Sequence, residues 1–238
     1  MPTSGVNNIV YTRDDIITEA LEICGALTVG ETPTSAHLTS CARTLNMLID
    51  LWQTDGLQLY RRKQYSCALV AGDSSYKFGS GGELGTEIPT RILAAWRRSN
   101  DAVPIDTTLS LMAQTDYMGL SSKSTQGTIV SYYYDYLGTS GNVIVWPAPA
   151  TGVTDTLYVY GERPIYNVSA ASDDVDVPNY YFMALSWGLA AALGTKYGTD
   201  ATTLGYINNQ AMLYKMEAIT YDIEYNTSIE IKPSRQGK

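Results

Sequence analysis

Apolar residues recur every three or four positions near the start of the chain, alternate through its middle, and return to the helical period towards the end. Thr12 before Arg13-Asp-Asp15 supplies an N-cap and first-turn acids, and Ile16, Ile17, Ala20, Leu21, Ile23 and Cys24 then share one face. A first helix is expected to end near Gly25. After Pro33-Thr-Ser35, the residues Leu38, Cys41, Leu45, Leu48 and Trp52 step by threes and fours until Gly56 stops the second helix. Joined by a short Gly/Thr/Pro linker, the two helices make a hairpin in which each hides its apolar stripe on the other.

The texture changes near residue 64. Runs at 65–70, 75–78, 128–137, 143–146 and 156–160 are β-branched or aromatic, with turn signals at Gly72-Asp-Ser-Ser75 and Thr139-Ser-Gly-Asn142. Leu109 and Met112 place a short helix within 109–118. Beyond Pro164 the helical period returns. Asp173, Asp174 and Asp176 ahead of Val177-Pro178 read as acids and a proline at a helix start. That third helix is expected to reach about Tyr197, and its Ala184, Gly188, Ala190, Ala191, Ala192 and Gly194 permit close approach of a neighbour. A fourth helix follows from Ala201 to about Ile219. From Tyr221 to Lys238 the Ile229/Ile231 alternation reads as an extended arm. The expected fold class is α+β: a helical bundle formed by the N- and C-terminal segments, an inserted antiparallel β domain and a C-terminal arm. The boundaries fall at 1–63, 64–165, 166–220 and 221–238.

Composition narrows the chemistry. A formal net charge of −8 argues against a broad basic face for nucleic acid. The first eight residues have neither the basic nor the apolar region of an export signal, so none is expected. The apolar stretch 182–193, broken by Ser186 and Gly188, falls short of the roughly 20 residues of a membrane span. Cys24, Cys41 and Cys67 are odd in number and widely spaced, which suits reduced core thiols better than disulfides or zinc. His37, the single histidine, lacks a G-x-S-x-G elbow and reads as a partly exposed helix residue. Gly79-Ser-Gly-Gly-Glu-Leu-Gly85 lacks the lysine of a phosphate loop and reads as a flexible hairpin loop. The aspartates at 173, 174 and 176 lack the glycine and distal glutamate of a calcium loop. No catalytic residue, metal site or cofactor is expected.

The aromatic balance is lopsided, with 19 tyrosines against 2 phenylalanines, many in the β region, including Tyr132, Tyr133, Tyr134 and Tyr136. Tyrosine pairs an apolar ring with a polar tip. The run therefore suits an assembly interface, a sugar-stacking platform shared with Trp146, or a sheet core that uses Tyr in place of Phe. Arg61-Arg62-Lys63 and Arg97-Arg98 read as solvated or inter-subunit salt-bridge partners, and Arg61, Arg62, Arg97 and Arg98 are the inter-subunit candidates.

In order and spacing, several segments resemble the head-to-tail adaptor family of tailed bacteriophages, also called packaged-DNA stabilisation proteins or tail accessory factors. They are the opening helix from Ile16 to Gly25, Leu45-Asn-Met-Leu-Ile-Asp-Leu-Trp52 with Asp55-Gly-Leu57, and Tyr76-Lys-Phe-Gly79. Further along come Ile88-Pro-Thr-Arg-Ile92 with Ala94-Ala-Trp-Arg97, Val143-Ile-Val-Trp-Pro-Ala-Pro149, and Val177-Pro178 leading to Ala184-Leu185 and Leu189-Ala-Ala191. The resemblance implies a non-enzymatic virion protein of the capsid–tail neck, made in the bacterial host cytoplasm. It implies a dodecameric ring of identical copies beneath the portal protein that extends the DNA channel, retains packaged DNA and receives a downstream tail nozzle or tube protein. DNA would pass without specific binding, and no membrane is involved. It also implies that the bundle and C-terminal arm meet the portal, which makes Tyr221, Ile223, Tyr225, Ile229, Ile231, Lys232 and Arg235 the portal-contact candidates. A carbohydrate-binding virion module built on the β-domain aromatics is the alternative. An enzyme built on His37 or the acidic cluster is the third reading.

Overall fold

The computed structural model describes residues 10–54 and 59–222. Helix α1 spans Arg13–Ile23 and opens on a reciprocal capping box: Asp15 N–H donates to Thr12 Oγ1 at 3.3 Å and Thr12 N–H donates to Asp15 Oδ2 at 3.0 Å. Helix α2 spans Ser35–Trp52, with Thr34 Oγ1 capping the His37 amide. Far along the chain, a 3-10 turn at Asn179–Tyr181 leads into α4, Phe182–Tyr197, and α5, Ala201–Tyr221, follows with Asp200 as N-cap.

Helix α4 is the axis of this layer, packing against α1, α2 and α5. Its small residues set the spacing. A Cβ on Gly188 would meet Leu48 and Trp52 of α2 at 3.3 Å, and one on Gly194 would lie 2.7 Å from Leu204 at the start of α5. Ile17, Leu21, Leu45, Ile49, Leu185, Leu189 and Leu193 fill the shared core.

Between α2 and α4 the chain builds a sandwich. Its first sheet has the order β1-β10-β3-β4, from Arg62–Ala68, Thr156–Glu162, Arg91–Arg98 and Asp106–Thr108, all antiparallel. The second has the order β2-β8-β7-β5, from Ser75–Phe78, Gly141–Trp146, Ser131–Tyr136 and Ser110–Leu111. A short pair joins β6, Gln126–Gly127, to β9, Ala148–Pro149, and α3 is the single turn Gln114–Met118.

Two features differ from the sequence expectation. The β region is mixed, because β5 runs parallel to β7 and β6 parallel to β9. Strand β3 lies inside the first sheet although its Ala94-Ala95 centre and charged ends carry little strand signal.

The sandwich core explains the tyrosines. Tyr65, Tyr76 and Tyr132 lie buried beside Phe78, Val143, Val145, Leu157 and Val159, with Tyr134 packed against them. Two of these hydroxyls end on the backbone, and that of Tyr65 donates to Glu87 Oε2 at 3.3 Å. Tyr76 accepts the Val70 amide at 3.0 Å and donates to Asp73 O at 3.1 Å, while Tyr134 donates to Pro89 O at 2.6 Å. A phenylalanine at 76 or 134 would leave those backbone groups short of a partner.

The loop at 79–85 is tightly bonded where a flexible hairpin loop was expected. Gly79 N–H donates to Gly85 O, Leu84 is buried beneath it, and a Cβ on Gly82 would fall 2.2 Å from Lys77 O.

Candidate assembly surfaces

No helix among the described residues is long and apolar enough to cross a membrane. Nor does any group of three or more His, Cys, Asp or Glu among them sit where it could hold a metal ion. His37 is half-buried, its ring edge on Tyr197 at 5.4 Å. Cys24, Cys41 and Cys67 are buried free thiols, and burial pushes Cys67 up to about 12.

The acidic cluster does not serve a helix start. Asp173 accepts the amides of Ser169 and Ala170 at 2.7 and 2.6 Å, and these bonds, Ala170 foremost, hold its carboxyl below the usual range. Asp174 bridges to Thr12, and Asp176 pairs with Arg163. Asp173 thus closes its own turn, Asp174 pairs through its backbone, Asp176 binds an arginine, and α4 begins only at Phe182.

The predicted basic residues fare differently from one another. Arg61, expected at a subunit boundary, is completely buried and lies inside the joint between helices and sandwich. Its guanidinium donates to Gln53 O at 3.1 Å, Arg163 O at 3.0 Å and Thr90 Oγ1 at 3.0 Å, tying together the two crossings of the chain. Desolvation lowers its pKa, yet those three acceptors satisfy the charge where a surface partner cannot reach. Arg97 pairs with Asp155 at 3.0 Å. Arg98 grips both oxygens of Asp106 at 2.7 Å and lies over the Tyr158 ring, which stacks in turn on Trp96 at 5.6 Å. Arg62 begins edge strand β1, half-buried.

The aromatic run, for which a sugar-stacking platform is one reading, divides between the two faces of its strand. Tyr132 and Tyr134 face the core, Tyr133 stacks on Tyr117 at 6.0 Å, and the Trp146 indole N–H donates to Ser122 O at 3.2 Å. Of the portal-contact candidates, Tyr221 is the last helical residue of α5 and not the start of an arm; it is 73% exposed and packs on Tyr180 at 4.8 Å. Ile223, Tyr225, Ile229, Ile231, Lys232 and Arg235 lie outside the described residues.

One surface was not singled out from the sequence. Among the described residues, helix α5 packs mainly on α4 and the preceding 3-10 turn, and the Lys215 ammonium lies over the Trp52 ring at 5.1 Å. Positions 206, 209, 213, 216 and 220 line the side of α5 opposite Ile207, Ala211 and Ala218, and Tyr206, Leu213 and Met216 stand exposed there with Met212 at its margin. None of these positions is charged, and Lys215 and Glu217 are the only charges on the helix. The signal was legible as apolar residues on every side of a helix almost without charge. An exposed, mainly apolar face with Glu217 at its edge, beside Leu213 and Met216, matches a protein interface with a single charge at its rim.

No curated protein matches the chain. Residues 11–227 match the model of the family described as SU10 adaptor protein, a span that takes in both helical segments and the whole sandwich. The chain therefore belongs to the SU10 adaptor protein family, a head-to-tail adaptor family of tailed bacteriophages, and is a structural protein of the virion.

Proposed function

We propose that copies of this chain close into a dodecameric ring beneath the portal of a filled capsid, extend the DNA channel, help retain the packaged genome and receive the downstream tail protein. The family match over residues 11–227 carries this reading. The outer face of α5 supports it from physical chemistry. A ring needs two different complementary surfaces on each copy, and an exposed apolar helix face provides one of them. The second sheet edge and the helical hairpin are the surfaces left to supply the other.

Tyr221, beside the segment that holds Ile223, Tyr225, Ile229, Ile231, Lys232 and Arg235, is assigned to the portal side in this reading. Arg62, Arg97 and Arg98 remain the inter-subunit candidates in this reading; Arg61, fully buried within the copy, has no route to a neighbour. The charge of −8 per copy, repeated around a ring, repels phosphates, so DNA passes without being held by specific contacts.

Native mass spectrometry of the chain alone, and then with its portal ring, tests the proposal. A portal carrying a full ring of copies is the expected outcome. Absence of any association under assembly conditions overturns it. Leu213→Glu with Met216→Glu is expected to abolish ring closure while the isolated copy keeps its circular dichroism spectrum.

A further inference from the structure

A groove of about 710 Å³ runs between α1 and the start of α4. Tyr11, Ile16, Phe182 and Met183 form its apolar wall. Its rim is acidic, since Asp15, Glu19 and Glu22 follow one another down one face of α1. A second lobe of about 320 Å³ continues past Val10 and Phe182 to Asp174 and Asp176. Asp176 already pairs with Arg163, Asp15 accepts the Thr12 amide at 3.0 Å and Glu22 the Gly30 amide at 3.2 Å, so the rim carboxylates keep their charge while two of them are held by neutral donors. Among the described residues neither lobe is lined by a lysine or arginine. The chemistry that fits is a segment with apolar side chains followed by cations.

The chain itself contains such a segment, which follows directly on α5. Residues 223–238 carry Ile223, Tyr225, Ile229 and Ile231, then Lys232, Arg235 and Lys238, with no acidic side chain after Glu230. The attachment point is Asp222, whose buried carboxylate accepts the hydroxyls of Tyr180 at 2.9 Å and Tyr181 at 3.4 Å. Sixteen residues reach about 50 Å when extended. The stretch of α1 from Asp15 to Glu22 is only about 10 Å long, so the segment is long enough to reach the groove from the end of α5. Residues 1–9 precede Val10, which lines the groove, but they carry no charged side chain for its acidic rim.

We propose that residues 223–238 dock in the α1/α4 groove of their own chain, with isoleucines against the Tyr11, Phe182 and Met183 wall and cations on the carboxylate rim. This docking requires neither ring nor portal, so it stands or falls separately from the proposed function. If both hold, the segment exchanges the groove for the portal when the neck assembles.

Zero-length carbodiimide coupling of the full chain, in an equal mixture of unlabelled and nitrogen-15-labelled protein, tests the proposal by mass spectrometry. The expected products join Lys232 or Lys238 to Asp15, Glu19 or Glu22 within a single isotopic chain. Mixed-isotope products would assign the segment to a neighbouring copy and overturn docking in its own chain. A product from the Met1 amine to the same carboxylates, or none from Lys232 and Lys238, would also overturn it. Glu19→Lys is expected to cut the yield roughly fivefold, the equivalent of about 1 kcal/mol for one exposed ion pair. Combining it with Arg235→Glu is expected to restore the yield, and a loss that this swap leaves unrepaired counts against the proposal.

Discussion

Helices α4 and α5 follow one another in the chain, and both are rich in apolar residues, yet the molecule treats them in opposite ways. Eight of the 16 residues of α4 are buried, because three helices surround it. Only two of the 21 residues of α5 are buried. An apolar helix with neighbours all round is core, whereas one with a neighbour on a single side leaves its remaining apolar face to another molecule. Under the proposed ring, the contrast separates residues that hold the copy together from residues that would join copies.

Core truncation should show the largest effect. Leu185→Ala is expected to cost about 2–5 kcal/mol in urea unfolding of the single copy. Leu213→Ala should change the same measurement by less than ~0.5 kcal/mol and instead reduce ring formation. Comparable losses at both sites would erase the distinction.

Next in size is Gly194→Ala, whose methyl would press on Leu204 where α4 and α5 approach most closely. About 1–2 kcal/mol of destabilisation by thermal unfolding is expected, since the leucine terminus can yield part of the way. No change would mean that α5 can lift away from α4 freely. Asp222→Ala removes the acceptor that two tyrosines share at the end of α5, and about 1 kcal/mol is expected. Faster hydrogen exchange confined to the last turns of α5 is the accompanying signature.

The smallest effect concerns pH. Bonds from Thr203, side chain and backbone, together with the Thr202 amide, depress the Asp200 carboxyl at the N-terminus of α5. Its folded pKa lies below its unfolded value of about 3.9, so its contribution is complete above that value and is lost as pH falls through the folded one. Asp200→Asn should flatten a small part of the acid limb of the stability profile. An unchanged limb would show that the cap contributes nothing to α5.

Local rules made much of the fold legible. Thr12 caps a helix where the sequence placed a cap, the α2 stripe faces the core, and the small residues of α4 let two neighbours approach. Strand β3 escaped because Ala94-Ala95 is as suited to a helix as to a sheet, and its place between β10 and β4 comes from pairing partners far along the chain. Arg61 was misread for a related reason. A basic triplet looks solvated until acceptors from residues 53, 90 and 163 converge on one member of it. Asp173, Asp174 and Asp176 looked like one feature of a helix start, and the folded chain sends them to three different partners.

What residue order alone decided are the properties that depend on neighbours within a few positions: where α1, α2 and α5 start, which stripe of each is apolar, where the sandwich turns, and the near absence of charge on α5. Hydrogen bonding, side-chain direction and the 3.6-residue period act over one or two turns, so they can be read directly from the chain. The tertiary structure decided where α4 starts, which apolar surfaces find cover inside the copy, which charges are spent internally, and that an acid-rimmed groove opens between α1 and α4. Those outcomes depend on groups more than a hundred residues apart meeting at contact distance, and only the folded chain brings them there.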